Sequence, residues 1–216
     1  MKASLDSPVF GKTDQIADVL ILGFLWLLVS LPIITIGPAS VALYYALVKS
    51  VRRKRDTAVG AFFWALKRNF RQGLIAGVTY LLYGAILLYY VFLAKTQPIL
   101  QENIYLTVTI GIILAAPFVF TALYIFPVIS RFENPLIKQI FYALHMSVGH
   151  MPGTLIMLSI LLLIAFFVYL FPFFLIILPG IYGYVSSFFI EKIFKIYTMS
   201  MRASYDEQGE IPWYLE

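Results

Sequence analysis

The chain is predicted to be all-α, a polytopic transmembrane helical bundle, and three observations predict it. Four runs carry no Asp, Glu, Lys or Arg: 19–48, 72–94, 103–130 and 139–190, of 30, 23, 28 and 52 residues. A bilayer core of ~30 Å is crossed by ~20 apolar residues rising ~1.5 Å each, so every run can cross once and the last can cross twice. The composition is 61% hydrophobic and 12% charged, whereas roughly a quarter of the residues in a soluble domain are charged. Basic residues are gathered rather than spread: eight of the sixteen lie between the first two runs, at 49–71. One membrane domain is expected over 1–216, with a cytoplasmic segment at 1–13, the bundle at 14–200 and a cytoplasmic tail at 201–216. Residues 1–15 lack a basic stretch leading into a short apolar core and a small-residue cleavage site, so the first hydrophobic run reads as a retained helix.

Positive loops stay in the cytoplasm. That rule puts 49–71 inside, 95–102 outside, 131–138 inside, and the tail with Lys192, Lys195 and Arg202 inside. The first run contains a breaker cluster, Leu-Pro-Ile-Ile-Thr-Ile-Gly-Pro-Ala-Ser at 31–40. Pro32 and Pro38 remove helix hydrogen bonds and Gly37 permits a turn. A tight hairpin follows, with helices over about 14–31 and 38–54 and Pro38 at the first helical position. Six spans result, with both termini and fifteen of the sixteen basic residues inside. The alternative is five spans, with one long kinked first helix, the N-terminus outside and thirteen basic residues inside. In the last run, a turn near Pro172 brings Glu191, Lys192 and Lys195 to the cytoplasmic interface. A turn at Pro179 and Gly180 would strand Glu191 near mid-bilayer at ~3 kcal/mol or more. Pro179 and Gly180 are therefore expected to kink a helix. With Pro32, Gly37 and Pro38 they form the candidate structural hinges.

A parallel internal repeat is expected. Phe63-Trp64-Ala65-Leu66 recurs as Phe141-Tyr142-Ala143-Leu144, and Ala42-Leu43-Tyr44 as Ala122-Leu123-Tyr124. Val59, Phe62, Phe63, Leu66 and Phe70 follow helical spacing, and a shift of 78 residues finds Ile137, Ile140, Phe141, Leu144 and Val148. Each copy reads as a descending helix, an amphipathic cytoplasmic helix and an ascending helix. Asp56 and Asn134 are expected to be N-caps, with Pro135 at the first helical position. The apolar residues should face the membrane or the bundle, leaving Trp64, Lys67, Arg68 and Arg71 on the first helix, and Tyr142 on the second, toward the cytoplasm. An interfacial helix on anionic lipid accounts for that pattern. A docking surface accounts for it too, because Trp and Arg dominate binding hot spots. Trp64, Lys67, Arg68, Arg71 and Tyr142 are the candidate docking residues.

Chemistry within the spans is sparse. Asp18 lies near a helix start, where the dipole favours it, and Glu191 is expected to pair with Lys195 four residues on. Such poverty argues against proton- or sodium-coupled transport. His145 and His150 point roughly 140° apart on one helix and do not suggest a shared metal site. Cysteine is absent, and no hydrolase, metalloprotease or phosphate-loop motif is present. No catalytic residue, metal or cofactor is expected, and the protein is read as not an enzyme.

At Leu31-Pro32-Ile33-Ile34-Thr35-Ile36-Gly37-Pro38-Ala39, followed by Ala42-Leu43-Tyr44-Tyr45, the chain resembles the bacterial YesL family of small membrane proteins. Phe62-Phe63 through Asn69-Phe70-Arg71-Gln72-Gly73 resembles the same family's next block, and the likeness extends over roughly 5–205. It transfers no catalytic or binding residue. It implies a setting: genes of that family often accompany ABC importers for oligosaccharides, solute-binding proteins, two-component regulators and glycoside hydrolases. The expectation is a non-enzymatic accessory or regulatory subunit of a carbohydrate ABC importer in the bacterial cell membrane. Expected partners are the lipid bilayer, ABC permease or ATPase subunits and an oligosaccharide, with no nucleic acid. The alternative is a self-contained facilitator for a neutral solute such as a sugar.

Overall fold

A computed structural model describes residues 8–206 of the chain, with side chains over 14–198, and the regular elements among them are all helical. In order they are α1 (Pro8–Ser30), a 3₁₀ turn (Ile33–Thr35), α2 (Ile36–Ala46) running on as a π-helical segment (Leu47–Arg52), and α3 (Ala58–Thr96). Then come α4 (Pro98–Glu102), α5 (Ile104–Arg131), α6 (Leu136–Gly149), α7 (Met151–Leu170), a second 3₁₀ turn (Pro172–Ile176) and α8 (Leu178–Asp206). Among the described residues, the segments Ile33–Arg52, Ala58–Thr96, Ile104–Arg131 and Met151–Leu170 are long and apolar enough to cross a bilayer. The chain is a helical membrane protein.

The breaker cluster does make a hairpin. Pro32 adopts an extended backbone before the 3₁₀ turn, which stops α1 because proline cannot continue its hydrogen bonds. The Thr35 hydroxyl donates to the Val29 carbonyl and, at 2.6 Å, to the Pro32 carbonyl. The Val29 carbonyl, orphaned by the end of α1, is thereby satisfied within the turn, and the Pro32 carbonyl also accepts from the Thr35 amide at 2.7 Å. Leu31, Ile33 and Ile34 point outward, at 69, 65 and 51% exposure.

α2 is the central element. Nine of its eleven residues are buried, and it contributes to both hydrophobic clusters. One joins α1, α2 and α3 around Leu22, Leu47 and Phe62; the other joins α2, α3, α5, α6, α7 and α8 around Tyr124, Ile125 and Met157. Glycine permits this degree of contact. A Cβ on Gly37 would meet the Gly77 Cα at 2.7 Å and its nitrogen at 2.9 Å, with the Gly73 carbonyl closer still. On the other side of the hairpin, a Cβ on Gly180 would meet the backbone of Gly23 at 3.2 Å and the Val19 carbonyl closer still. Small residues that let backbones approach are the usual glue of membrane helices.

Several expectations are corrected. The first helix begins at Pro8 rather than near 14, which places Asp18 in its third turn. α2 begins at Ile36, so Pro38 is its third residue rather than its first. Gly37 is no hinge: the 3₁₀ turn closes the hairpin, and Gly37 is needed for contact with α3. Pro179 and Gly180 start α8 rather than kink a helix, although the preceding turn does fall at 171–177 as expected. The helix caps are Thr57 and Pro135, one residue beyond Asp56 and Asn134. Asp56 instead bonds Lys49 at 3.0 Å and accepts from the Thr57 amide, contacts that hold its carboxyl below the usual carboxylate range.

The first amphipathic segment is not a separate helix. It is the start of the 39-residue α3, ~58 Å long, because nothing between Arg71 and Val78 interrupts the ladder. The second segment is separate, as α6, because His150 and the following Met-Pro-Gly break the helix. On α3 the packed face is Ala58, Ala61, Phe62 and Ala65, then Gly73, Ala76 and Gly77; Val59, Phe63 and Phe70 lie outside. Lipid is as apolar as a protein core, so bulky side chains have no preference for the interior. Small ones pack better between helices.

The hairpin is also short. Gly37 lies beside Gly73 and Gly77, and α3 continues 19 residues past Gly77 to Thr96, a further ~28 Å. Over that length α3 pairs with α5: Tyr80 donates to Thr121, Tyr83 to the Leu114 carbonyl and Tyr90 to the Thr107 carbonyl.

Candidate functional site

The connections at 53–57 and 132–135 lie at one end of the bundle, and most of its charge gathers there. The centre is Glu191 on α8, whose side chain is 12% exposed. A carboxylate removed from water must be paired and hydrogen-bonded. The side chain of Arg131, the last residue of α5 and only 3% exposed, binds its Oε1. Tyr44 of α2 donates to the same oxygen at 3.0 Å. Arg53, just past the π-helical segment and 25% exposed, approaches Oε2 at 3.5 Å. Burial and then repulsion from Arg131 lower the Arg53 guanidinium below its usual value, though a guanidinium keeps its charge at neutral pH. The expected local pair of Glu191 with Lys195 is replaced by partners from three other elements.

The cluster opens into a cavity of about 640 Å³. Arg52, Arg53 and Arg55 form one wall; Glu191, Lys192 and Lys195 form the other, with Val48 and Phe188 supplying an apolar side. Residues 188, 191, 192 and 195 share one face of α8 by helical spacing. The guanidinium of Arg52 stacks over the Phe188 ring at 4.5 Å and donates to the Ser187 carbonyl at 2.5 Å. Its approach is set by the π turn, which closes into a loop where Lys54 has φ 50°. Five cationic side chains against one carboxylate make the cavity a place that attracts anions.

A second surface holds the expected docking residues. Trp64 is 44% exposed. Its ring stacks on Tyr45 at 5.1 Å, with Lys49 at 5.3 Å and Arg68 at 4.8 Å over its faces. Arg68 also pairs with Glu133 in the α5–α6 connection. Lys67 and Arg71 are exposed on the same side of α3. Tyr142 lies on α6 against Phe132, at 6.3 Å, next in sequence to the Glu133 that Arg68 holds. The histidines behave differently from a pair on one helix. α6 ends at Gly149, and both rings pack edge-on against Tyr197, each at 5.9 Å.

Reading the sequence by local runs found the cations at 52–55 and the pair Lys192 and Lys195, but not that they face each other, nor that Arg131 joins them. One signal was available: Arg53 and Arg131 are separated by the same 78 residues as the two amphipathic patterns, and both reach Glu191.

Among known families, residues 19–91 match the one described as "Protein of unknown function, DUF624". The match runs from α1 through most of α3. It is similarity to a family of small membrane proteins and does not carry the YesL name. No curated protein and no solved structure matches the chain.

Proposed function

We propose that this protein is a non-enzymatic accessory or regulatory subunit of a membrane transport assembly, and that it receives its partner on the α3 surface around Trp64. The observation that carries this reading is the setting of Trp64, an indole held by Tyr45 below and by Lys49 and Arg68 over its faces, yet 44% exposed. An aromatic fixed before binding loses little entropy on contact, and aromatic and arginine side chains dominate hot spots. A carbohydrate ABC importer is the context that the family resemblance supplies, so its permease and ATPase subunits are the partners to test. Trp64→Ala should weaken association by ~2 kcal/mol or more, about 30-fold. Co-purification from native membranes at low and high salt checks this. A lipid-surface role predicts equal recovery of partners by wild type and variant at both salts, which would refute docking.

The proposed topology puts the charged end in the cytoplasm, following the positive-inside rule. A parallel repeat is supported by the start of α3 at Ala58 and of α6 at Leu136, 78 residues apart, and by matching buried positions, Ala61 with Gln139 and Ala65 with Ala143. For the hairpin, the geometry favours a turn inside the bilayer over two full crossings. The charge-free stretch from α2 into the π-helical segment, 36–48, is ~20 Å long; the hairpin tip before it is apolar and exposed, with the Val29 carbonyl capped by Thr35. A reporter active only outside the cell should be silent at residue 1 and also when inserted in the 31–35 turn. Activity at the turn alone would restore six crossings, and activity at residue 1 would restore five.

A further inference from the structure

The cavity between the α2 end and α8 is separate from the Trp64 surface and is not needed for docking there. We propose that it is a binding site for a phosphate-bearing anion, with room for a group larger than a single phosphate. Three independent features point to this ligand class. The first is charge: Arg52, Arg53, Arg55, Lys192 and Lys195 line the cavity against Glu191 alone. Arg131 and Arg53 lie on different oxygens of that carboxylate, so its charge is committed at the base of the cavity and does not offset the lysines at the mouth.

The second feature is donor geometry. Arginines present planar forks and lysines present mobile point charges, the combination that phosphate recognition uses. Arg52 is held in place by the Ser187 carbonyl and the Phe188 ring, so one wall is positioned before a ligand arrives. Lys192 and Lys195 are exposed on adjoining turns of α8 and can close over an anion from the other wall.

The third feature is the shape of the lining. Val48 and the 48% exposed Phe188 give the basic cavity an apolar side. Basic pockets between membrane helices, near the headgroup level, suit the phosphates of anionic lipids. A volume of about 640 Å³ accommodates a diphosphate or a phosphate with a polyol. The shared chemistry is a phosphate, which a lipid headgroup or a soluble phosphate ester can supply; the apolar side would contribute only to the first.

Full-length protein in neutral detergent provides the test, since no charged bilayer surface then contributes. Cardiolipin and phosphatidylcholine are titrated separately and bound lipid is counted by native mass spectrometry; pyrophosphate is titrated by calorimetry. The Lys192→Gln/Lys195→Gln double variant is compared with Lys95→Gln/Lys138→Gln, which removes the same charge at exposed positions outside the cavity. We expect cardiolipin or pyrophosphate to bind wild type, and the first variant to bind about 30-fold more weakly, at ~1 kcal/mol for each exposed cation–phosphate pair. The second variant should stay within about twofold of wild type. Cardiolipin retention over phosphatidylcholine without pyrophosphate binding identifies a lipid site; pyrophosphate binding without cardiolipin retention identifies a soluble ligand. Binding of neither probe, or equal losses in the two double variants, would overturn the proposal.

Discussion

Replacing Gly37 with alanine should be among the most damaging single-methyl changes in this protein. A Cβ there would lie 2.7 Å from the Gly77 Cα and 2.9 Å from its nitrogen, and nearer still to the Gly73 carbonyl. Ordinary contact begins near 3.4 Å, and every atom met belongs to backbone. No rotamer change can relieve the clash, so α2 and α3 must separate. Overpacking costs ~1–3 kcal/mol where side chains can yield; here the figure should sit at or above ~3 kcal/mol, because the shift also loosens contacts along a nearly wholly buried helix. Gly84→Ala is the matched control. Its new methyl would meet only the Phe118 ring edge at 3.6 Å, and alanine is favoured over glycine inside a helix by ~1 kcal/mol. For a domain of this size, ~3 kcal/mol corresponds to roughly 6–12 °C in apparent midpoint. The assay is thermal unfolding of the two variants in detergent, read by the fraction that stays monodisperse. Gly37→Val should be worse than Gly37→Ala, and Gly77→Ala should resemble it, since its Cβ meets the Gly37 Cα at 2.8 Å. Equal midpoints for Gly37→Ala and Gly84→Ala would refute the close-packing argument.

Two further outcomes follow from the same structure. Gly180→Ala should loosen the joint between α1 and α8 by a comparable amount, because its Cβ would strike the Val19 and Gly23 backbone; a double variant with Gly37→Ala, at a different joint, should show nearly additive losses. Glu191→Ala should cost ~3–5 kcal/mol by stranding the buried Arg131, whereas Arg53→Gln should cost less, since Arg53 is 25% exposed against 3% for Arg131. Thermal unfolding of both variants checks the order, and a milder Glu191→Ala than Arg53→Gln would count against Glu191 as the centre of the cluster.

The helical membrane class was legible in the residues alone, because span length and charge content are local properties set by bilayer thickness. So were the breaks at 53–57, 132–135 and 171–177, where proline, charge or turn residues interrupt the hydrogen-bond ladder within a few positions. On α3 the helical spacing left the apolar residues free to face either the bundle or the membrane, and only the packing decides that Phe62 is buried while Phe63 and Phe70 are exposed. Continuity of α3 past Arg71 was missed, since an amphipathic stretch next to an apolar one reads as two elements although no residue there ends a helix.

The surroundings of Glu191 came from the packing of distant elements. Its acceptor contact with Tyr44 joins residues 147 positions apart, and Arg53 and Arg131 arrive from the loop after the π-helical segment and from the last turn of α5. Spacing along one helix offered Lys195 as a partner at no cost in chain closure, and within an isolated helix that pair would form. In the folded bundle, Tyr44, Arg53 and Arg131 converge on Glu191, and the buried guanidinium of Arg131 needs an anion more than an exposed lysine does. Desolvation therefore chose the partner, and the lysine was left to line the cavity.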